Sequence, residues 1–430
     1  MIQMKKTLII TGMPFRNDSN LGKTLSTLFL RFGPEELSQL YFSPQMPNVK
    51  HCSNYYQINE KQLIRSFFGL NQKKCGRKIK AKDIEEQYAV AESNPSAIVA
   101  LRKFILIPIL RDLLWLVSKW NSKKLNRWLD ENRPSVIFAV LPGSVKSCKI
   151  IDYVAKRYDC PIVLFVTDDY YNDPELTPSL LRKWYFRWLQ RSIDRMATHA
   201  KYVVGCSELA AREFGEKYHV PYEAIFTPSG VEYLAMPEKQ QSDEKPIVFR
   251  YFGNLGLERW KPLAALGKAI ADYNQGEQKA ILEVYSNLMY PDAIAQLDIP
   301  NGCVFKGWVH GEDYLRLLQD ADVAVHVESF SEDMCRRTRL SISTKIADYL
   351  GAGKCIMAIG KAELASIQHI NNVACVVNDI SKIEEGIKKL AENVSFRQDL
   401  STKARDLAQT QHDINTISLR VKQLLTSDLL

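Results

Sequence analysis

Residues Arg339 to Lys354 hold the chain's densest set of groups suited to chemistry. Ser341, Ser343 and Thr344 precede an apolar-periodic run, Ile346 to Leu350, which stops at Gly351 and Gly353 before the apolar stretch Cys355–Ile359. That order predicts a loop, a helix start, about two turns of helix, a glycine stop and a buried strand. The N–H groups left over at such a helix start make an anion site, most often for phosphate. Asp348 follows one turn further in, where its carboxylate could accept from the two hydroxyls of a ribose. Phosphate beside ribose is a nucleotide. The competing reading is an ordinary capped helix that feeds a strand.

Three further clusters carry candidate groups. Gly22-Lys23-Thr24 tempts toward a P-loop, but Asn17 stands where its first glycine is required, and no strand-borne Asp of Walker B character follows. What remains is a glycine beside a lysine at a helix start, suited to a phosphate. After the apolar run Ile247–Phe252 come Gly253, Asn254 and Gly256, then Arg259 and Lys261. The glycines let a backbone approach a ligand closely, and the cations are candidate diphosphate partners. The alternative there is a turn with solvated cations. Asp168 and Asp169 close the apolar run Val163–Thr167 and could orient an acceptor hydroxyl, or could form a strand-end turn with Asn172-Asp173-Pro174. No His, Cys or carboxylate set has metal-ligand spacing, so no metal is expected.

These groups need elements to hold them. Strand-like runs at Thr7–Thr11, Val136–Val140, Pro161–Thr167, Tyr202–Cys206 and Ala224–Thr227 alternate with amphipathic stretches such as Lys146–Tyr158 and Ser207–Tyr218. A second series follows: Ile247–Phe252, Ala280–Tyr285, Cys303–Trp308, Val323–Val327, Cys355–Ile359 and Ala374–Val377, with helical runs Trp260–Tyr273, Gly311–Asp320 and Ile380–Asn393 between. Alternation of this kind predicts α/β architecture, two doubly wound parallel sheets covered by helices. The Pro-, Gln- and charge-rich stretch Met236–Lys245 reads as a linker. The domains expected are 1–235, 246–411, and a C-terminal helix over 412–430 that packs back on the first. Two such domains would face a cleft where ligands bind. The Lys-rich segment Asn71–Ser96 reads as a surface loop or mobile insertion.

At 430 residues, 46% apolar and 25% charged, the composition is that of a globular protein of two domains, with no apolar run long enough to span a membrane. The opening residues lack a signal-peptide pattern and the nine cysteines form no CxxC pair, so reduced thiols in the cytoplasm are expected. Residues 1–240 carry 35 Lys and Arg against 24 Asp and Glu, whereas the remainder carries 22 against 25. The basic excess thus belongs to the first half and points to an anionic partner there.

In order and spacing these pieces resemble the retaining, nucleotide-sugar-dependent glycosyltransferases of family four (group 1), which have the GT-B fold of two Rossmann-like domains. Tyr202 to Glu208 is similar to the family's V-S-E element, and Pro228 to Glu232 to its P-N-G-V-D. Phe252-Gly253-Asn254 stands at its G-R-L turn, with Arg259 at the position of its diphosphate-binding lysine. Gly307-Trp308-Val309 through Asp320-Ala321-Asp322-Val323 is similar to G-x-V…A-A-D-V, and Lys345 to Lys354 resembles K-L-F-E-Y-L-A-A-G-K. The departures are specific. The family's paired glutamates correspond to Leu340 and Asp348, and its turn arginine to Asn254. Glu332 or Asp333 would have to replace the first glutamate, and Arg259, Lys261, Arg337 or Arg339 the turn arginine.

The resemblance implies transfer of a sugar from a UDP- or GDP-sugar to a glycan or lipid-linked hydroxyl, with retention, in cell-surface polysaccharide synthesis. Donor binding would fall to Gly22, Lys23, Gly253, Asn254, Arg259, Lys261, Arg339, Ser343, Thr344, Lys345 and Asp348, and catalysis to Asp168 and Asp169. No metal or other cofactor is expected if cations and helix starts neutralise the diphosphate. The alternative is a nucleotide-sugar epimerase of the same fold, or a binding relative without activity. Lys183-Trp184-Tyr185-Phe186-Arg187-Trp188 and Arg102-Lys103-Phe104-Ile105 mix cations with aromatics, which suits either peripheral contact with an anionic membrane or plain helix packing. No nucleic-acid-binding motif accompanies the charge.

Overall fold

The computed structural model describes residues 5–17, 20–67, 75–80, 84, 106–169, 171–172, 179–231 and 245–427. They form two units, one of Met1–Ile225 with Asn415–Leu430 and the other of Phe226–Ile414.

The first unit is built on β1 (Thr7–Thr11), β2 (Leu37–Tyr41), β3 (Asn54–Gln57), β4 (Arg77–Lys80), β5 (Val136–Val140), β6 (Ile162–Val166), β7 (Ala200–Gly205) and β8 (Tyr222–Ala224), in the order β4-β3-β2-β1-β5-β6-β7-β8. Every pairing is parallel except β3 with β4. The strand β4 corrects the expectation of a loop across Asn71–Ser96, of which residues 71–74, 81–83 and 85–96 lie outside the described part. Ile79 points inward and is buried, while Arg77 and Lys78 are exposed. Cations on an edge strand discourage pairing with another chain, and they also disguise the strand.

The second unit carries β9 (Ile247–Phe252), β10 (Ala280–Tyr285), β11 (Cys303–Gly307), β12 (Val323–Val327), β13 (Ile356–Ile359) and β14 (Cys375–Val377), all parallel, in the order β11-β10-β9-β12-β13-β14. Side chains alternate across its two faces. Phe249, Val323, Val325 and Met357 join one core with Leu263 and Leu266 of the Trp260–Asn274 helix. Ala324, Ile356 and Ala358 join the other with Ile346 and Leu350 of the Thr344–Gly351 helix. Burying those last two side chains contributes about 1.5–3 kcal/mol each, enough to hold an eight-residue helix that is too short to persist alone.

The Ile414–Thr426 helix places Ile417, Val421, Leu424 and Leu425 in the core of the first unit beside Phe138 and Val204. All nine cysteines are buried free thiols. Desolvation raises Cys52, Cys303 and Cys355 to about 12, so thiolate is scarce at neutral pH. No helix among the described residues is long and apolar enough to cross a membrane.

Candidate donor site at the edge of the second sheet

In a doubly wound sheet the ligand crevice opens at the carboxyl ends of the strands where the winding reverses. In the second unit that point lies between β9 and β12. The loop leaving β9 contains two consecutive non-glycine residues in the left-handed region, Leu257 at φ 56° and Glu258 at φ 58°. A leucine held there is strained, and such strain concentrates at functional sites. Within the loop the exposed Asn254 turns its side-chain oxygen back onto the Gly256 N–H, and the Gly253 backbone packs against Tyr251 so closely that a Cβ would lie 2.7 Å from its hydroxyl.

Arg259 immediately precedes the Trp260–Asn274 helix. Its Nε donates to Glu328 Oε2 at 3.1 Å and its Nη2 to Oε1 and Oε2 at 3.0 Å each. Glu328 directly follows β12, and its backbone N–H extends the ladder to Ile359 at 2.8 Å. The ion pair therefore spans the switch point. The Glu328 side chain is 3% exposed and that of Arg259 20%. Burial pushes the Glu328 carboxyl up against the opposing pull of Arg259. Desolvation works against the Arg259 charge, but Glu328 more than offsets it and raises the guanidinium pKa. His326, two residues before Glu328, is buried and its Nε2 has no hydrogen-bond partner. Desolvation and then Arg259 lower its pKa to about 3, so the imidazole is neutral. Lys261 is half-exposed and pairs with Glu258 at 2.9 Å.

The predicted helix start is present. Ser343 caps the Thr344–Gly351 helix, its hydroxyl accepting from the Lys345 N–H at 3.4 Å, and both Ser343 and Thr344 are partly exposed. Crossover helices of this fold begin at the carboxyl edge of the sheet, so this start faces the same edge as Arg259. Arg339 ends the Glu332–Thr338 helix, and its carbonyl accepts from Ala365 at 2.9 Å. Asp348 is buried, and its Oδ2 accepts from the Tyr314 hydroxyl at 2.9 Å and lies 3.5 Å from Lys345 Nζ, which is over the Tyr314 ring. Leu340, at the place of the first family glutamate, is fully buried, while Glu332 and Asp333 are exposed.

The remaining candidates stand on the first unit. Gly22 and Lys23 fall inside the first turn of the Asn20–Leu28 helix rather than in a loop before it. Asp169 follows the end of β6, where its carboxylate accepts from the Asn172 side chain at 2.9 and 3.0 Å and from its backbone N–H at 3.2 Å, which makes it the organiser of a turn. Asp168 accepts from the Thr167 hydroxyl at 3.2 Å. Asp173 and Pro174 lie outside the described residues, as do Arg102 to Ile105.

Sequence reasoning passed over Glu328 and Tyr314. A carboxylate ending the apolar run Val323–Val327 at a central strand was the available signal for Glu328. Tyr314 gave none.

The model described as Glycosyltransferase Family 4 matches residues 81–232, and the one described as Glycosyl transferase-like matches residues 250–426. With both units matched by glycosyltransferase models, the chain is a glycosyltransferase, and its two parallel-sheet units have the fold of the GT-B enzymes. No curated protein matches its sequence. Among solved structures, HepE from Anabaena in complex with UDP is similar over 98% of this chain and 99% of its own, at 15% identity and a TM-score of 0.60. The UDP-forming α,α-trehalose-phosphate synthase from Burkholderia xenovorans, in complex with glucose-6-phosphate, is similar over 98% and 100%, at 10% identity and 0.60. WaaG, a glycosyltransferase involved in lipopolysaccharide biosynthesis, is similar over 98% and 100%, at 12% identity and 0.53. At these identities the likeness is one of fold.

Proposed function

We propose that the second unit binds a nucleoside-diphosphate sugar, UDP-linked in first preference, and that the protein passes the sugar to a hydroxyl of a glycan or lipid-linked acceptor during cell-surface polysaccharide synthesis. The observation that carries this reading is the arginine held at the switch point between β9 and β12, on the same sheet edge as the Ser343-capped helix start. Arg259, Lys261 and the positive end of the helix that starts at Thr344 would neutralise the departing diphosphate without a metal, so the anomeric bond breaks toward an oxocarbenium ion. Attack from the same face, with the proton passing to the leaving phosphate, gives retention. Asp348 would take the ribose, sharing its carboxylate with Tyr314. Asp168 is the better-placed of the two aspartates to orient an acceptor, because Asp169 is committed to its turn.

Calorimetric titration with UDP, GDP and ADP tests the donor reading, and no heat with any of the three would end it. The anomeric configuration of the product, read by NMR, tests retention. The non-transferring alternative is favoured by Leu340, which brings no carboxylate to the donor sugar. An epimerase would convert donor with no acceptor added.

The first unit supports an acceptor at an anionic membrane. The Leu106–Val117 helix exposes Leu106, Leu110, Leu113 and Val117, spaced as one stripe. The Leu180–Ala197 helix exposes Leu180 and Trp184 beside Arg187 and Arg191. The two helices are joined by the Tyr185 hydroxyl, which donates to the buried Asp112 at 2.8 Å. Attachment of this kind is screened by salt over a Debye length of about 8 Å at physiological ionic strength. Flotation with phosphatidylglycerol vesicles should show binding at low salt that falls as salt rises and weakens in a Trp184→Ser, Arg187→Ser variant. Absence of binding at low salt would leave a soluble acceptor.

A further inference from the structure

We infer that Glu328 is a positioning residue for the donor diphosphate: its buried carboxylate grips the inner fork of Arg259 and thereby aims the outer fork at the phosphates. The inference rests on the reading of Arg259 as a diphosphate partner.

The geometry is that of a held guanidinium. Arginine has two usable forks, one formed by Nε–H with an Nη2–H, the other by Nη1–H with the second Nη2–H. Glu328 occupies the first through contacts of 3.0–3.1 Å. Nη1 takes no hydrogen-bond partner among the described residues and is not among the buried orphan atoms. A free arginine side chain in water spreads over many rotamers and must give up that freedom on meeting a ligand. Here the freedom is already gone, because Glu328 is itself fixed by the β12–β13 ladder through its N–H.

Stability alone does not call for such a pair. A buried ion pair is on balance close to neutral against apolar residues of the same volume. It also weakens the site's attraction for anions, since the carboxylate cancels most of the arginine's charge at a distance. Two effects therefore oppose each other when Glu328 is removed. Net charge at the site rises, which would strengthen UDP binding. Orientation is lost, which would weaken the response to phosphate and slow turnover. The inference is that orientation dominates. Asn254, at the position of the family's turn arginine, leaves Arg259 as the loop's only guanidinium.

The experiment compares UDP with uridine. Glu328→Gln keeps the volume and one acceptor oxygen but removes the charge, and Glu328→Asp keeps the charge on a shorter stem. The ratio of UDP to uridine affinity isolates the phosphates, and a merely structural role of Glu328 would leave it unchanged. The expected result is a fall in that ratio for Glu328→Gln, with turnover lowered about tenfold to a hundredfold and partly restored in Glu328→Asp. Arg259→Lys should then add little in the Glu328→Gln background, because the fork is already adrift. If Arg259→Lys lowers the ratio and Glu328→Gln leaves it unchanged or raises it, the positioning role is overturned while the diphosphate reading stands. If Arg259→Ala leaves the ratio unchanged, the diphosphate reading fails and takes this inference with it. Should Glu328→Gln fold poorly, Glu328→Asp carries the same comparison against Arg259→Lys.

Discussion

His326→Leu is expected to stabilise the second unit, and to do so more strongly in mild acid. In the parent protein Nε2 of His326 is buried without a partner, a burden of about 1–3 kcal/mol for a desolvated polar atom. Leucine removes that atom and nearly matches the volume, so a gain of about 1 kcal/mol is expected at pH 7. The pH term follows from linkage. The unfolded imidazole titrates near 6.5, whereas burial holds the folded one at about 3. Between those values the unfolded chain binds the extra proton, so stability rises with pH through this window and is lost as pH falls below about 6.5. At pH 5 the loss reaches about 2 kcal/mol for this one residue, against a few tenths at pH 7. Leucine cannot protonate, and its advantage should therefore grow by about 2 kcal/mol between pH 7 and pH 5. Urea unfolding followed by tryptophan fluorescence, with Trp260 and Trp308 reporting from this unit, measures it at both pH values. Acid titration of the carboxylates is common to both proteins and cancels in the difference. An advantage of equal size at the two pH values would refute the claim that the imidazole is kept neutral.

Other perturbations test other contacts. Asp348→Ala should weaken UDP binding by about 1–3 kcal/mol and also lower thermal stability, because the buried Tyr314 hydroxyl loses its acceptor; Asp348→Ala in a Tyr314→Phe background separates the two, since the stability loss should shrink while the binding loss remains. Gly351→Ala would bring a Cβ to 1.9 Å from Ser229 Oγ and 2.8 Å from the Val231 carbonyl, and should cost roughly 1–3 kcal/mol, read as a lowered unfolding midpoint and eased by Ser229→Gly. Replacing Lys261 with Ala should lower UDP affinity less than replacing Arg259, since Lys261 is more exposed and shares its charge with Glu258; equal losses would argue that exposure is a poor guide here.

What could be read from the sequence follows the kind of signal each element carries. The strands β9, β10 and β12 begin and end where their mainly apolar runs do, because a central strand is mostly buried and has turn residues at each end; the charged residues that interrupt β9 and β10, Arg250 and Glu283, pair with each other at 2.6 Å. Three strands of the first sheet escaped for the opposite reason. β2 reads Leu-Ser-Gln-Leu-Tyr, yet Ser38 and Gln39 are buried. Gln39 is satisfied by Thr11, Met13 and Phe15, partners that lie far away in the chain and are invisible to periodicity. β4 carries an edge strand's cations and resembles a loop. The capped start at Ser343 was legible because capping is local. Arg259 with Glu328, 69 positions apart, and Tyr314 with Asp348, 34 apart, were not, because tertiary pairing leaves no trace at either residue alone.

The nine buried thiols give this protein a built-in clock. Five stand in the first unit, at Cys52, Cys75, Cys148, Cys160 and Cys206, and four in the second, at Cys303, Cys335, Cys355 and Cys375. Burial shields all nine, so a thiol reagent added to the native protein must wait for the chain around each cysteine to open. Modification rates, followed residue by residue by mass spectrometry, would then time the opening of each unit separately with no engineered label. A donor analogue that binds the second unit should slow its four cysteines and leave the other five at their former pace.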